Sequence, residues 1–205
     1  MDIIAALNAL ANLGATWILW VLVVLSVLGL GVVVERAIVY TTSRDDIARL
    51  RLALTAALEH DKLDEACHQL EESPSYEARI AAAALTSKDA SGALERMASA
   101  TVLARLEMER NLAFLGTIGN NAPFVGLLGT VIGIVRAFHA LNASTGQVTA
   151  GLMAEIGEAL TATAVGLLVA LPAVAFFNLF QRLIQARLGR GEALGNDVLA
   201  YLKSS

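Results

Sequence analysis

The sequence predicts an all-α integral membrane protein with three transmembrane helices, the second and third running on into a helical domain outside the bilayer. Three observations predict it. Apolar residues make up 56% of the 205 and charged residues 17%, with a mean hydropathy of +0.62, where a soluble domain carries about 25% charged residues. The charges cluster: residues 37–111 hold 22 Asp, Glu, Lys or Arg in 75 positions, and residues 159–181 hold none. A helix rising about 1.5 Å per residue needs roughly 20 apolar residues to cross a hydrocarbon core about 30 Å thick. Three uncharged stretches reach that length: 16–34 with 19 residues, 112–135 with 24 and 159–181 with 23. A soluble enzyme and a disordered chain are excluded by this composition. A disulfide scaffold is excluded by the single cysteine, Cys67. A net charge of -4 gives no reason to expect nucleic-acid binding.

Taken in order, residues 1–15 read as an interfacial segment, apolar from Ile3 to Leu13 with Asn8 and Asn12 interposed; a frayed terminus is the alternative. Residues 16–34 form the first span. No Lys or Arg precedes it and it is too long for a signal core, so it is expected to remain as a transmembrane helix. Residues 35–111 form a helical insert. Asp45 and Asp46 precede Ile47, Leu50, Leu54 and Leu58; Leu63, Ala66, Cys67 and Leu70 make a second stripe; Pro74 punctuates; Ile80 to Leu85 begins a third helix. No Gly or Pro occurs between Ala93 and Leu115, so a fourth helix is expected to run unbroken into the second span, 112–137. A short loop, 138–148, leads to the third span and its extension, 149–188, and a tail, 189–205, follows, with Gly189 as the first helix-stopping residue.

Lys and Arg set the direction. None occurs before Arg36, and 14 of the 15 lie in the insert or after the third span. The N-terminus and the 138–148 loop are therefore expected outside, the insert and C-terminus inside. Arg136 is the exception, at the outer end of the second span, where its side chain can snorkel to the headgroups.

The insert carries no catalytic set. His60, Cys67 and His68 fit no metal-ligand spacing, so neither a metal nor another cofactor is expected. The spans contain no HExxH, no Gly-x-Gly-Asp and no Ser/His pair, so the chain is not read as an enzyme. What the spans do contain is small and polar. Gly126, Gly129 and Gly133 on the second, and Ala159, Thr163, Gly166, Ala170 and Ala173 on the third, make stripes that let helix backbones approach closely. Stripes on both spans imply more close neighbours than one three-helix chain supplies, hence a homo-oligomer. Pro123 and Pro172 each remove a backbone hydrogen bond, giving either a tolerated kink or a hinge. Glu155, nearer the end, is expected to be solvated, and Glu158 to face protein or water. Thr130 and Thr163 either bond back to their own helix or line a hydrated path with Glu158. Five residues apart on one helix, Glu158 and Thr163 cannot share a stripe, so a common path needs neighbouring helices or subunits.

Two ordered motifs carry a resemblance. Ala122-Pro123-Phe124-Val125-Gly126-Leu127-Leu128-Gly129-Thr130-Val131-Ile132-Gly133, followed by Ala137-Phe138, resembles the second-span signature of the ExbB/TolQ/MotA proton-channel family. Glu158-Ala159-Leu160-Thr161-Ala162-Thr163-Ala164-Val165-Gly166-Leu167, then Ala170-Leu171-Pro172-Ala173 and Asn178-Leu179-Phe180, resembles its third-span signature, in the form of the ExbB/TolQ branch. The resemblance implies a ring-forming homo-oligomer, a pentamer, around an ExbD/TolR-type single-span partner in the bacterial inner membrane. It implies use of the proton motive force through a TonB- or TolA-type protein, with Thr130, Glu158 and Thr163 on the ion pathway. Arg136 and the Asn120-Asn121 pair are atypical of the motif. A non-conducting oligomeric membrane scaffold is the alternative reading.

Overall fold

The computed structural model describes residues 14, 16–87, 89–143 and 150–204, so most of the 1–15 segment and the loop from 144 onward lie outside the described residues. The helices, in order, are α1 (Thr16–Thr42), α2 (Ile47–Glu59), α3 (Leu63–Glu72), α4 (Tyr76–Leu85), α5 (Ala90–Glu109), α6 (Leu112–Ala143) and α7 (Ala150–Ser204). No strand occurs among the described residues. Three of the helices, α1, α6 and α7, are long and apolar enough to cross a membrane.

Short polar side chains start the small helices. The carboxylate of Asp46 accepts from the Arg49 N–H at 3.2 Å ahead of α2, and that of Asp89 accepts from the Gly92 N–H at 2.9 Å ahead of α5. The Gly92 N–H, the largest cause, holds the Asp89 carboxyl below its usual pKa. Ser75 does the same for α4, accepting from Ala78 N at 3.1 Å, so that helix begins at Tyr76, four residues before Ile80, where the apolar pattern places its start.

Three expected boundaries are corrected. α6 runs on to Ala143, through residues 138–143 of the stretch expected as a 138–148 loop. The helix expected to be continuous from Ala93 to Leu115 is broken: α5 ends at Glu109, and Asn111 takes φ 63° before α6 begins. Asparagine tolerates this left-handed conformation because its short polar side chain bonds locally, so a stop can occur with no Gly or Pro in sight. Gly189, conversely, does not stop α7, which continues to Ser204. Gly191 and Gly195 serve there as contact points: a Cβ on Gly191 would lie 2.7 Å from Ile80 Cδ1, and one on Gly195 would strike the Met97 side chain.

The chain divides into two compact units, the first comprising residues up to Val33 and Asn111–Asn178, the second Val34–Arg110 and Leu179–Ser205. In the first unit α6 and α7 run antiparallel. Hypothetical Cβ atoms on Gly119, Gly126, Gly129 and Gly133 would meet Val174, Ala162 and Gly166, Ala162, and Ala159 in turn. α1 also runs antiparallel to α6, with Ile18 near Gly129 and Gly29 near Leu115 and Ile118. Ile18, Leu22, Leu115, Ala122, Ala159 and Ala162 are almost wholly buried between the three.

These contacts correct the argument for oligomerisation. The small-residue stripes of the second and third spans face each other within one chain. Their close neighbours are thus supplied internally, and the stripes by themselves no longer require a second copy.

The second unit has α4 and α5 packed together with the C-terminal part of α7 and the end of α1, around buried polar groups. Arg187, 3% exposed, donates to Tyr40 O at 2.7 Å, Ser43 Oγ at 2.8 Å and Ser43 O at 3.3 Å, capping the last turns of α1. Glu77, 2% exposed, lies 3.5 Å from Arg190 Nε and 4.0 Å from Arg187 Nε. Tyr40 donates to Met108 O at 2.7 Å, and burial pushes its phenol up to about 12. Burial lowers the Arg187 pKa, while the charge of Glu77 raises it.

Candidate functional site

The first unit brings the sequence-marked polar residues onto three packed helices but gives each its own partner. Thr163 on α7 donates from Oγ1 to the Gly126 carbonyl at 3.1 Å, across the α6–α7 contact. Gly126 is where the backbones come closest: its hypothetical Cβ lies 2.7 Å from Ala162 O and 3.0 Å from Thr163 Cα, and that of Gly166 lies 2.7 Å from Ala122 O. The absence of side chains at 126 and 166 is what lets the threonine reach the opposite main chain. Thr130 takes the other course open to a membrane threonine, donating to Leu127 O of its own helix at 2.7 Å. Glu158 accepts from Thr16 Oγ1 at 2.7 Å, which joins the start of α1 to α7.

Among the described hydrogen bonds none joins two of Thr130, Glu158 and Thr163. All three are half-buried. A hydroxyl that has spent its proton retains acceptor capacity, and a carboxylate with one oxygen engaged retains the other. Each of the three can therefore still accept a hydrogen bond from water, although no single stripe collects them. Gly129, Gly133 and Gly166 are buried packing positions. Pro123 and Pro172 lie inside α6 and α7 without breaking either. Beside Pro172 the helices leave an apolar recess of about 200 Å³ lined by Leu25, Gly29, Ile118, Leu168 and Phe176, among others.

Two expectations are overturned at the Ala143 end of α6. Glu155 is not simply solvated and Arg136 does not simply reach for headgroups: Arg136 Nη2 lies 2.8 Å from Glu155 Oε1, with the side chains 33% and 23% exposed. Gly14, at φ 79°, sits so close that a Cβ on it would lie 2.5 Å from Arg136 Nη1. Thr16, Gly14 and the Arg136–Glu155 pairing were not legible as site residues. The signal that could have found the pair is the antiparallel register, since Gly133 meets Ala159, and one turn on along α6 with one turn back along α7 puts 136 beside 155.

No group of three or more His, Cys, Asp or Glu that could hold a metal occurs among the described residues. In the second unit the buried Glu77 lies within ion-pair reach of buried Arg187 and of exposed Arg190, and Arg187 also donates to main chain.

Comparison with known proteins adds to this geometry. The MotA/TolQ/ExbB proton channel family matches residues 72–192, which include Thr130, Glu158 and Thr163. The chain is 46% identical over 77 residues to the ExbB-like 2 biopolymer transport protein of Helicobacter pylori, covering 38% of this chain and 51% of that one. It is 41% identical over 97 residues to the Tol-Pal system protein TolQ of Pseudomonas aeruginosa, covering 47% and 42%. It is 37% identical over 92 residues to the biopolymer transport protein ExbB of Xanthomonas campestris pv. campestris, covering 45% and 36%. The matches span about half of the length of these curated relatives or less.

Proposed function

Because the chain belongs to the MotA/TolQ/ExbB proton channel family, we propose that it is the proton-channel, stator-type subunit of an inner-membrane motor on the ExbB/TolQ side of that family. It uses the proton motive force, with an ExbD/TolR-type single-span partner, to energise transport or envelope processes through a TonB- or TolA-type protein. In this reading several copies, five by family analogy, surround the partner's helix. The N-terminus and the connection after Ala143, between α6 and α7, face the periplasm, and the second unit and C-terminus face the cytoplasm.

One observation carries the reading. Thr130, Glu158 and Thr163 stand half-buried on otherwise apolar helices with acceptor capacity left over, rather than being sealed in the chain's own core. Thr117, Asn120 and Asn121 are exposed on α6 as well. Uncovered polar groups are unfavourable against hydrocarbon, so these faces suit a neighbouring helix or water. One proton falling through roughly 150–200 mV releases about 3.5–4.5 kcal/mol, enough to bias one step of a packed helix interface.

The test is proton flux into liposomes holding the chain with its partner, followed by a pH-sensitive dye. Glu158→Gln and Thr163→Val are expected to lower the flux by about tenfold or more, one pK unit of proton affinity or its equivalent. The complexes should still assemble, because Thr163→Val keeps the volume and gives up one hydrogen bond worth about 1 kcal/mol. Flux through the wild-type complex no faster than through empty liposomes would leave the scaffold reading in its place.

A further inference from the structure

We infer that the second unit holds a binding site for a phosphate group that carries its own hydrogen-bond donor, in the cavity where the end of α1, the start of α4 and α7 meet. Its residues are not those of the proton path, and it does not rest on that reading.

The cavity has a volume of about 120 Å³ and is lined by Arg44, Asp45, Glu77, Leu183, Arg187 and Arg190, among others. All of them belong to the second unit. A water takes about 30 Å³ of liquid, so the space suits about four waters or one phosphate group.

Charge sets the sign of the ligand. Three guanidiniums face two carboxylates, which leaves one positive charge over. Asp45 is already engaged, accepting from Asp46 N at 2.7 Å and from the Ser73 hydroxyl. Arg187 is buried, while Arg44 and Arg190 are exposed and can turn toward the opening. After burial and the opposing charge of Glu77, Arg190 and Arg44 both lower the Arg187 pKa, so the three guanidiniums stand near enough to repel. An anion among them relieves that repulsion.

Glu77 sets the rest. It is 2% exposed, and its Oε1 lies 3.5 Å from Arg190 Nε and 4.0 Å from Arg187 Nε. Its Oε2 is buried and has no hydrogen-bond partner among the described residues. A buried carboxylate oxygen left unpaired is costly, and an anion made only of acceptors would add repulsion. A phosphate accompanied by an N–H or O–H meets both demands. Its oxygens take the guanidiniums, whose planar forks match them, and its donor goes to Glu77 Oε2.

Two sources offer this chemistry. Leu183 lies just past Gln181, the last residue of the uncharged run 159–181. At about 1.5 Å per residue the cavity begins roughly 3 Å beyond the span, within a headgroup layer about 5–8 Å deep. A phospholipid headgroup bearing an amine or hydroxyl can reach it, and so can protonated inorganic phosphate from solution.

The test uses the full chain in uncharged detergent. Melting is followed with inorganic phosphate or with sulfate at equal ionic strength near neutral pH, where phosphate keeps a proton and sulfate does not. Native mass spectrometry measures retention of phosphatidylethanolamine, phosphatidylglycerol and phosphatidylcholine, the last of which has no headgroup donor. Either phosphate should stabilise well beyond sulfate, or the first two lipids should be retained about tenfold over phosphatidylcholine, the worth of one hydrogen bond to a charged group. The arm that responds identifies the source. Arg44→Gln, at an exposed position, should weaken that response about tenfold while leaving the ligand-free melting curve in place. Glu77→Gln should erase the preference for a donor, because its amide supplies one; should that variant melt early, Arg44→Gln and the donor comparison still decide. No response in either arm, or responses blind to the donor, would overturn the proposal and leave the cavity to water. So would an Arg44→Gln chain that binds as the wild type does.

Discussion

Gly126→Ala is expected to separate α6 from α7 in the first unit. The new methyl group would lie 2.7 Å from Ala162 O, 3.0 Å from Thr163 Cα and 3.2 Å from Gly166 Cα. All three are main-chain atoms, so no rotamer change relieves the clash and one helix must move. Overpacking of this kind costs typically 1–3 kcal/mol, and a backbone clash belongs at about the upper end. The shift also breaks the Thr163–Gly126 hydrogen bond, so stability and the candidate site fail together. Thermal unfolding in detergent measures the loss. Gly31→Ala supplies the contrast, since nothing lies within 4 Å of a Cβ at that position. There the better helix propensity of alanine makes the substitution neutral or mildly stabilising. Equal melting temperatures for the two variants would contradict the close approach.

Arg187→Ala is expected to do comparable damage in the second unit. The guanidinium makes three hydrogen bonds to Tyr40 and Ser43, and its loss leaves buried carbonyls at the end of α1 without those donors. Glu77, 2% exposed, keeps only Arg190 within ion-pair reach. Breaking a buried charged pair from one side costs about 3–5 kcal/mol. Arg187→Lys should recover little, because an ammonium cannot reproduce a fork that reaches Tyr40 O and Ser43 Oγ together. Arg51→Ala, by contrast, removes an exposed ion pair with Asp197 and should leave the melting curve where it is. A destabilisation by Arg51→Ala as large as that by Arg187→Ala would show that burial does not set the cost.

How much of this was legible in the sequence depended on whether the signal was local. The three spans were, because an uncharged run of some twenty residues has few other interpretations. The start of α2 was open to reading from Asp46, whereas α5 begins at Ala90 behind the Asp89 cap, three residues ahead of the expected Ala93. The start of α4 needed the Ser75 side chain, which an apolar-period reading passes over. Asn111 and the glycines of α7 misled in opposite directions. Left-handed asparagine ended a helix that lacked Gly and Pro, while Gly191 and Gly195 stayed helical because their missing side chains admit Ile80 and Met97. Glycine carries two meanings, backbone freedom and close approach, and only the partner's position separates them. The same limit applies to the site. Thr130 and Thr163 look alike in sequence, but one bonds to its own turn and the other crosses to Gly126. The stripe that suggested a second copy is occupied by the chain's own helix, which composition alone cannot report.

The two prolines inside unbroken helices have a spectroscopic consequence. Pro123 and Pro172 have no N–H, so the main-chain oxygens of Gly119 and Leu168 lack their helical donors. Gly119 is buried at the α6–α7 contact, whereas Leu168 borders the recess beside Pro172. An isotope-shifted amide I band placed at each carbonyl in turn therefore reads two environments within one chain. A high frequency marks a dry, unbonded oxygen, and a drop when the membrane is energised would mark water or a side chain arriving there.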